Sequence, residues 1–247
     1  MTSRAATIVN AVLSNFVHLF RTSAPLAVHL HYVMTLARYF QIKKRYRAEE
    51  NGFREAMKSG RFSTDWFSAK IPFWLHTFHS LDLFQKDLDI LEIGSWEGMS
   101  SCFILKTLPN ARLTCIDTWQ GSHEHVGLEA LESIEAKFDG NTAPYKDRLT
   151  KRKQSSLAFF GESPLQPRFD LIHVDGSHHC DDVLADAVQS YARLKVGGVM
   201  ILDDFFWRDY ENRHDNPAAA INAFLRLKAG TYEFVLVYYQ VILRKLA

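Results

Sequence analysis

The chain has 247 residues, few cysteines, almost no net charge, no G-x-G-x-x-G and no uninterrupted apolar run of membrane-spanning length. Each shortage excludes a class. Cys102, Cys115 and Cys180 are odd in number and lack C-x-x-C spacing, so small buried thiols in a reducing cytoplasm are the ordinary reading. With 29 basic and 28 acidic residues there is no global field to draw in a polyanion, and nucleic acid is not expected as a partner. The apolar stretch from Ala5 to Phe20 is broken by Asn10, Ser14, Asn15 and His18, and reads as neither a secretory signal nor a membrane span. Internal repeats and low-complexity linkers are also missing.

What is present centres on Phe169 to Trp207. Two apolar runs of strand length, Asp170 to Val174 and Val196 to Leu202, each end in acid: Asp175 after the first, Asp203 and Asp204 after the second. Between them Val183, Leu184, Ala187, Val188, Tyr191 and Leu194 recur at helical spacing, and Gly197-Gly198 suggests a turn. This is a β-α-β unit, whose parallel strands bring all three carboxylates to one sheet edge, where open α/β sheets bind ligands. Around it the strand-helix pattern continues. Strands are expected at Leu88 to Ile93, Arg112 to Ile116 and Leu149 to Gln154, helices near Leu128 to Phe138 and Leu157 to Gly161, then a helix Pro217 to Leu227 and an antiparallel pair pivoting at Tyr239-Gln240. The expected fold is α/β, a Rossmann-like doubly wound seven-stranded sheet, parallel with a C-terminal antiparallel hairpin. It would occupy residues 71–247, preceded by a helical N-terminal extension of residues 1–70.

The first strand runs into Glu92-Ile93-Gly94-Ser95-Trp96-Glu97-Gly98-Met99-Ser100, a glycine-bearing turn that opens a helix. Its glycines are four apart and a carboxylate precedes them, which disfavours a pyrophosphate by like charge and suits a ligand carrying an ammonium group. Asp117, 25 residues beyond Glu92 at the end of the second strand, is placed to accept ribose hydroxyls. An ammonium group and a ribose without phosphates describe S-adenosylmethionine.

These residues resemble the class I S-adenosylmethionine-dependent methyltransferases, and among them the metal-dependent O-methyltransferases of the antibiotic-sugar (macrolide) type and, more distantly, catechol O-methyltransferase. The resemblance covers about Leu88 to Trp207, and its most specific part is the 28-residue separation of Asp175 from the Asp203-Asp204 pair. By position it implies that Glu92, Gly94, Ser95, Trp96 and Ser100 hold the methionine end of the cofactor and Asp117 the ribose. Trp119 would wall the adenine and Ser155 meet its edge, the last with Gln154 and Ser156 as alternatives. It implies Asp175, Asp203 and Asp204 as metal ligands. Where catechol-type enzymes carry a lysine base, this chain has His178, as the sugar enzymes resemble having; His179 on the same turn is the alternative, since sequence orients neither ring.

Physical chemistry supports the metal independently. Three converging carboxylates repel unless a cation neutralises them, and hard oxygen donors with open positions suit Mg²⁺. A hydroxyl activated there could lose its proton to a histidine of ordinary pKa near neutrality. The expected activity is methyl transfer to a hydroxyl of a small molecule or sugar. A metal-independent methyltransferase, an NAD-dependent oxidoreductase and a non-catalytic scaffold are the alternatives. Loop residues His123, Glu124, His125, Trp207, Arg208, Asp209 and Tyr210 are expected near the substrate, without catalytic roles.

The N-terminal extension is expected to begin with an amphipathic helix whose face carries Ile8, Val9, Val12, Leu13, Phe16, Val17 and Phe20. A second helix, Leu26 to Phe40, flows into the basic stretch 41–47. Such segments serve docking and homo-oligomerisation, or weak association with an anionic membrane surface. The aromatics Phe62, Trp66, Phe67, Phe73, Trp74, Phe78 and Phe84 are expected mostly as core, with a cap over a substrate cleft as the other reading.

Overall fold

The computed structural model describes residues 2–121 and 134–247, with side chains from Asn10 onward. The strands are β1 (Leu88–Ile93), β2 (Ala111–Asp117), β3 (Leu149–Lys153), β4 (Phe169–Val174), β5 (Leu194–Leu202), β6 (Tyr232–Val237) and β7 (Val241–Lys245). Among the described residues they form one seven-stranded sheet in the order β3-β2-β1-β4-β5-β7-β6, with β7 antiparallel to both β5 and β6. The order reverses at β1, so β1 and β4 lie side by side at the centre and their carboxyl ends open onto one crevice.

The central strands read as continuous apolar runs because both faces are covered. Neighbouring residues alternate between two cores: Leu91, Ile172 and Leu202 pack with one, and Ile90, Leu171 and Ile201 with the other. The first core is closed by α7 (Ser156–Glu162), α8 (Cys180–Arg193) and α9 (Pro217–Leu227). The second is closed by α4 (Ile71–Ser80), α5 (Met99–Thr107) and α6, described over Ile134–Thr142. Gly197 and Gly198 do not form a turn between helix and strand. They lie inside β5, where the pairing shifts from Phe169 opposite Leu194 to Leu171 opposite Val199. A Cβ on Gly198 would approach the Asp170 carbonyl at 3.0 Å, so the glycine permits the strands to meet across this bulge.

The extension consists of α1 (Thr2–Arg21), α2 (Leu26–Arg45) and α3 (Arg47–Met57), followed by a 3-10 turn, Ser68–Lys70, that runs directly into α4. The inward face of α1 differs from the apolar stripe read in the sequence. His18 and Leu19 are buried, whereas Leu13, Val17 and Phe20 are exposed. The reason is polar: α1 is held by Arg208, whose Nη1 donates to Ser14 Oγ at 2.8 Å, and by Asn222, whose Nδ2 donates to the Thr22 carbonyl at 3.2 Å. Leu26, Leu30, Val33 and Phe40 of α2 are exposed as well. Of the aromatics before β1, Phe67, Phe73, Trp74 and Phe78 are core, while Trp66 is exposed. Among the described residues no helix is long and apolar enough to cross a membrane.

Candidate active site

At the carboxyl edge of β1 the chain turns sharply, with Gly94 at φ 82° and Trp96 at φ 46°. Asp117, ending β2, organises this turn: its Oδ2 accepts the N–H groups of Ser95 (2.9 Å) and Trp96 (2.8 Å), and its Oδ1 accepts that of Trp119 (2.7 Å). Burial raises the Asp117 pKa, and the three N–H donors oppose the rise. Gly94, Ser95, Trp96, Ser100, Asp117 and Ser155 line one cavity of about 1320 Å³, together with Gln154 and Ser156. That volume exceeds the ~300–1,000 Å³ typical of a single small-ligand site, leaving room for two reactants.

Two of the expected cofactor residues are not among the lining residues. Glu92 is fully buried beneath the turn, where Ser101 Oγ donates to it. Trp119 packs on Phe138 at 4.8 Å under the ammonium of Lys151, and its Nε1 donates to the Trp96 carbonyl at 2.9 Å; Thr118 and Gln120 line the cavity at this place instead.

The same cavity is lined by Asp175, His178 and Asp204, whose ligating atoms lie within 4.8 Å of one another. Two carboxylates and an imidazole at this spacing, open to the cavity, fit a hard divalent cation. His178 Nε2 sits 2.7 Å from Asp204 Oδ2, and its ring stacks on Trp207 at 4.6 Å with an interplanar angle of 11°. His179 is directed elsewhere: it is the N-cap residue of α8, edge-on to Tyr210 at 5.7 Å, and is not among the residues lining the cavity. Asp203 is buried and turned inward. His123, Glu124 and His125 lie outside the described residues, as does the start of the helix expected from Leu128.

Two charged residues that sequence reasoning passed over complete the edge. Lys70, from the turn before α4, places Nζ 2.6 Å from Asp203 Oδ2 and 3.8 Å from Asp175 Oδ2. His173, next to the last residue of β4, sits between Glu92 Oε1 (3.3 Å from Nδ1) and Asp203 Oδ2 (3.2 Å from Nε2). Burial works against charge on His173, but Asp203, Glu92 and nearby Asp175 push its pKa up to about 10, so the ring is an imidazolium at neutral pH. Despite burial, the hydrogen bond and charge of His173 hold Glu92 below the usual carboxylate range, and Lys70 and His173 do so for Asp203. Asp175 goes the other way, pushed well up by burial and by the neighbouring charge of Asp203. A histidine inside the run LIHV was a visible signal, since a polar residue in a doubly covered strand needs buried partners. Lys70 gave none.

Residues 91–205 match the family model described as "Methyltransferase domain". The matched segment, 115 of the 247 residues, takes in the glycine turn, Asp117, Asp175, Asp203 and Asp204. No curated protein matches the chain. Among solved structures it is similar to TomG, an O-methyltransferase from Streptomyces achromogenes involved in tomaymycin synthesis and solved with S-adenosylmethionine. The identity is 15%, the TM-score 0.51, and the match covers 81% of this chain and 89% of that one. An O-methyltransferase from Bacillus cereus, bound to S-adenosylhomocysteine, matches at 14% identity and TM-score 0.50 over 89% of this chain and all of its own, 100%. MycE, the methyltransferase of the mycinamycin biosynthetic pathway, solved with Mg and S-adenosylhomocysteine, matches at 14% identity and TM-score 0.51, covering 83% of this chain. The chain spans about half of MycE's length, 54%. At these identities the likeness is one of fold.

Proposed function

We propose that the protein transfers a methyl group from S-adenosylmethionine to a hydroxyl oxygen of a small molecule, a sugar or sugar-bearing product in preference to a catechol, with Mg²⁺ at the acid edge. The observation that carries this reading is that Asp175, His178 and Asp204 line the same cavity as Gly94, Trp96 and Asp117. When bound, the cofactor supplies an electrophilic sulfonium methyl and the divalent ion a Lewis acid that makes the acceptor hydroxyl more acidic. Asp175 and Asp204 would hold the ion. Asp117 Oδ1 accepts one N–H and keeps acceptor capacity for a ribose hydroxyl. His178 takes the acceptor's proton, and Asp204, 2.7 Å from Nε2, stabilises the imidazolium that results while Trp207 fixes the ring plane. Tyr39, Phe62 and Trp66 of the extension line the cavity and support a capping role for residues 1–70.

The test is methyl transfer from labelled S-adenosylmethionine into a panel of sugar-bearing and catechol acceptors, with and without a chelator. Thermal stabilisation by S-adenosylhomocysteine but not NAD is expected; the reverse preference overturns the cofactor assignment, and activity indifferent to chelation overturns the metal. We also propose that the exposed apolar residues of α1 and α2 meet a second copy of the chain. Support comes from Phe20 (72% exposed) and Leu26 (85% exposed), large apolar side chains left in water.

A further inference from the structure

The acid edge holds an ammonium group of its own. Lys70 Nζ lies 2.6 Å from Asp203 Oδ2, and its side chain is only 13% exposed. The same Oδ2 accepts from Gln240 Nε2 at 2.7 Å and faces His173 Nε2 at 3.2 Å, while Oδ1 accepts the Asp204 N–H at 2.8 Å. A carboxylate oxygen offers about two lone-pair sites, so Oδ2 is saturated. Asp203 is also absent from the residues that line the cavity, whereas Asp175, Asp204 and Lys70 are present.

From this geometry we propose, resting on the metal reading above, that Lys70 is a positioning residue that takes Asp203 out of the ligand set, leaving the divalent ion to Asp175 and Asp204. The N-terminal extension thus supplies one tethered positive charge to a cluster of three acids. That charge sets how strongly the remaining two attract a cation, because Nζ stands 3.8 Å from Asp175 Oδ2 and repels any ion placed there. Lys70 and Asp203 largely offset one another toward the cavity, so removing Lys70 alone uncovers the charge of Asp203.

The experiment is a titration of the full-length protein with Mn²⁺ alone, following loss of the free-ion electron paramagnetic resonance signal, with folding checked by circular dichroism. Lys70→Met is expected to tighten Mn²⁺ binding about tenfold, because it removes a repelling charge and releases Asp203. The double variant Lys70→Met/Asp203→Asn removes a matched pair and is expected to bind within about threefold of wild type. Asp175→Asn is expected to weaken binding by at least about tenfold. Should Lys70→Met misfold with Asp203 unpaired, the double variant carries the test alone. A double variant that loses Mn²⁺ as Asp175→Asn does would make Asp203 a ligand and overturn the proposal, as would Lys70→Met binding no tighter than wild type. Absence of Mn²⁺ binding from wild type and all variants would instead sink the metal reading, and this inference with it.

Discussion

Gly94→Ala is expected to damage stability and cofactor binding together. A Cβ at position 94 would fall 1.9 Å from the Asp175 carbonyl oxygen, 2.4 Å from its carbonyl carbon and 2.7 Å from Gly176 Cα. All three are backbone atoms, so no side chain can swing away. The loops after β1 and β4 would have to separate by about 1 Å or more, and strain of this kind costs about 1–3 kcal/mol. The left-handed backbone at φ 82° adds about 1–2 kcal/mol for an L side chain. Together these give roughly 2–5 kcal/mol, or about 4–20 °C in Tm at this chain length. Because the separated loops carry Ser95 and Trp96 on one side and Asp175 on the other, affinity for S-adenosylhomocysteine should drop as well. Gly140→Ala is the control: nothing lies within 4 Å of a Cβ there, the residue is in α6, and alanine should stabilise by about 0.5–1 kcal/mol. Differential scanning fluorimetry and calorimetric titration read both quantities. A Gly94→Ala protein that melts within about 2 °C of wild type and binds the cofactor product equally well would show that position 94 tolerates a Cβ.

Other consequences are open to measurement. Burial, with Asp182 nearby, raises the Asp186 pKa from 3.8 to about 7, so the folded protein holds a proton there that the unfolded chain releases. Stability should therefore fall as pH rises from about 4 to 7, and Asp186→Asn, which cannot ionise, should gain on wild type by a few kcal/mol between pH 5 and pH 8 in paired melts; a pH-independent difference would contradict the assignment. His178→Ala should lower turnover by about 10²–10⁴-fold while S-adenosylhomocysteine binding persists, and unchanged turnover would move the base elsewhere. Asp117→Ala removes the acceptor of three N–H groups, so calorimetry should show weakened binding of the nucleoside part of the cofactor; equal affinity would sink the ribose role. Light scattering should report a smaller species for Phe20→Glu/Leu30→Glu than for wild type, and identical masses would argue against self-association through α1 and α2.

The strands were readable because covering both faces of the sheet leaves little choice but apolar residues, and Leu88–Ile93 and Pro217–Leu227 fall where periodicity puts them. The acids were readable for a related reason, as the first charges after buried runs. What escaped depends on distant partners. Lys70 lies 133 residues from Asp203, and nothing local marks it. The inward face of α1 was not legible, because Arg208 and Asn222 hold it through polar contacts that an apolar stripe does not reveal. Trp119 sits in the right segment but points into the core, since a φ of 52° redirects it.

Glu92, His173, Asp203 and Lys70 form a row of alternating sign across the ends of β1, β4 and β5 and into the segment before α4. Its members belong to four separate stretches of chain, and their charges, two of each sign, cancel. Transplanting the sheet edge into another scaffold without residue 70 would carry an odd buried charge along with it, so the smallest portable unit of this site begins upstream of the strands that display it.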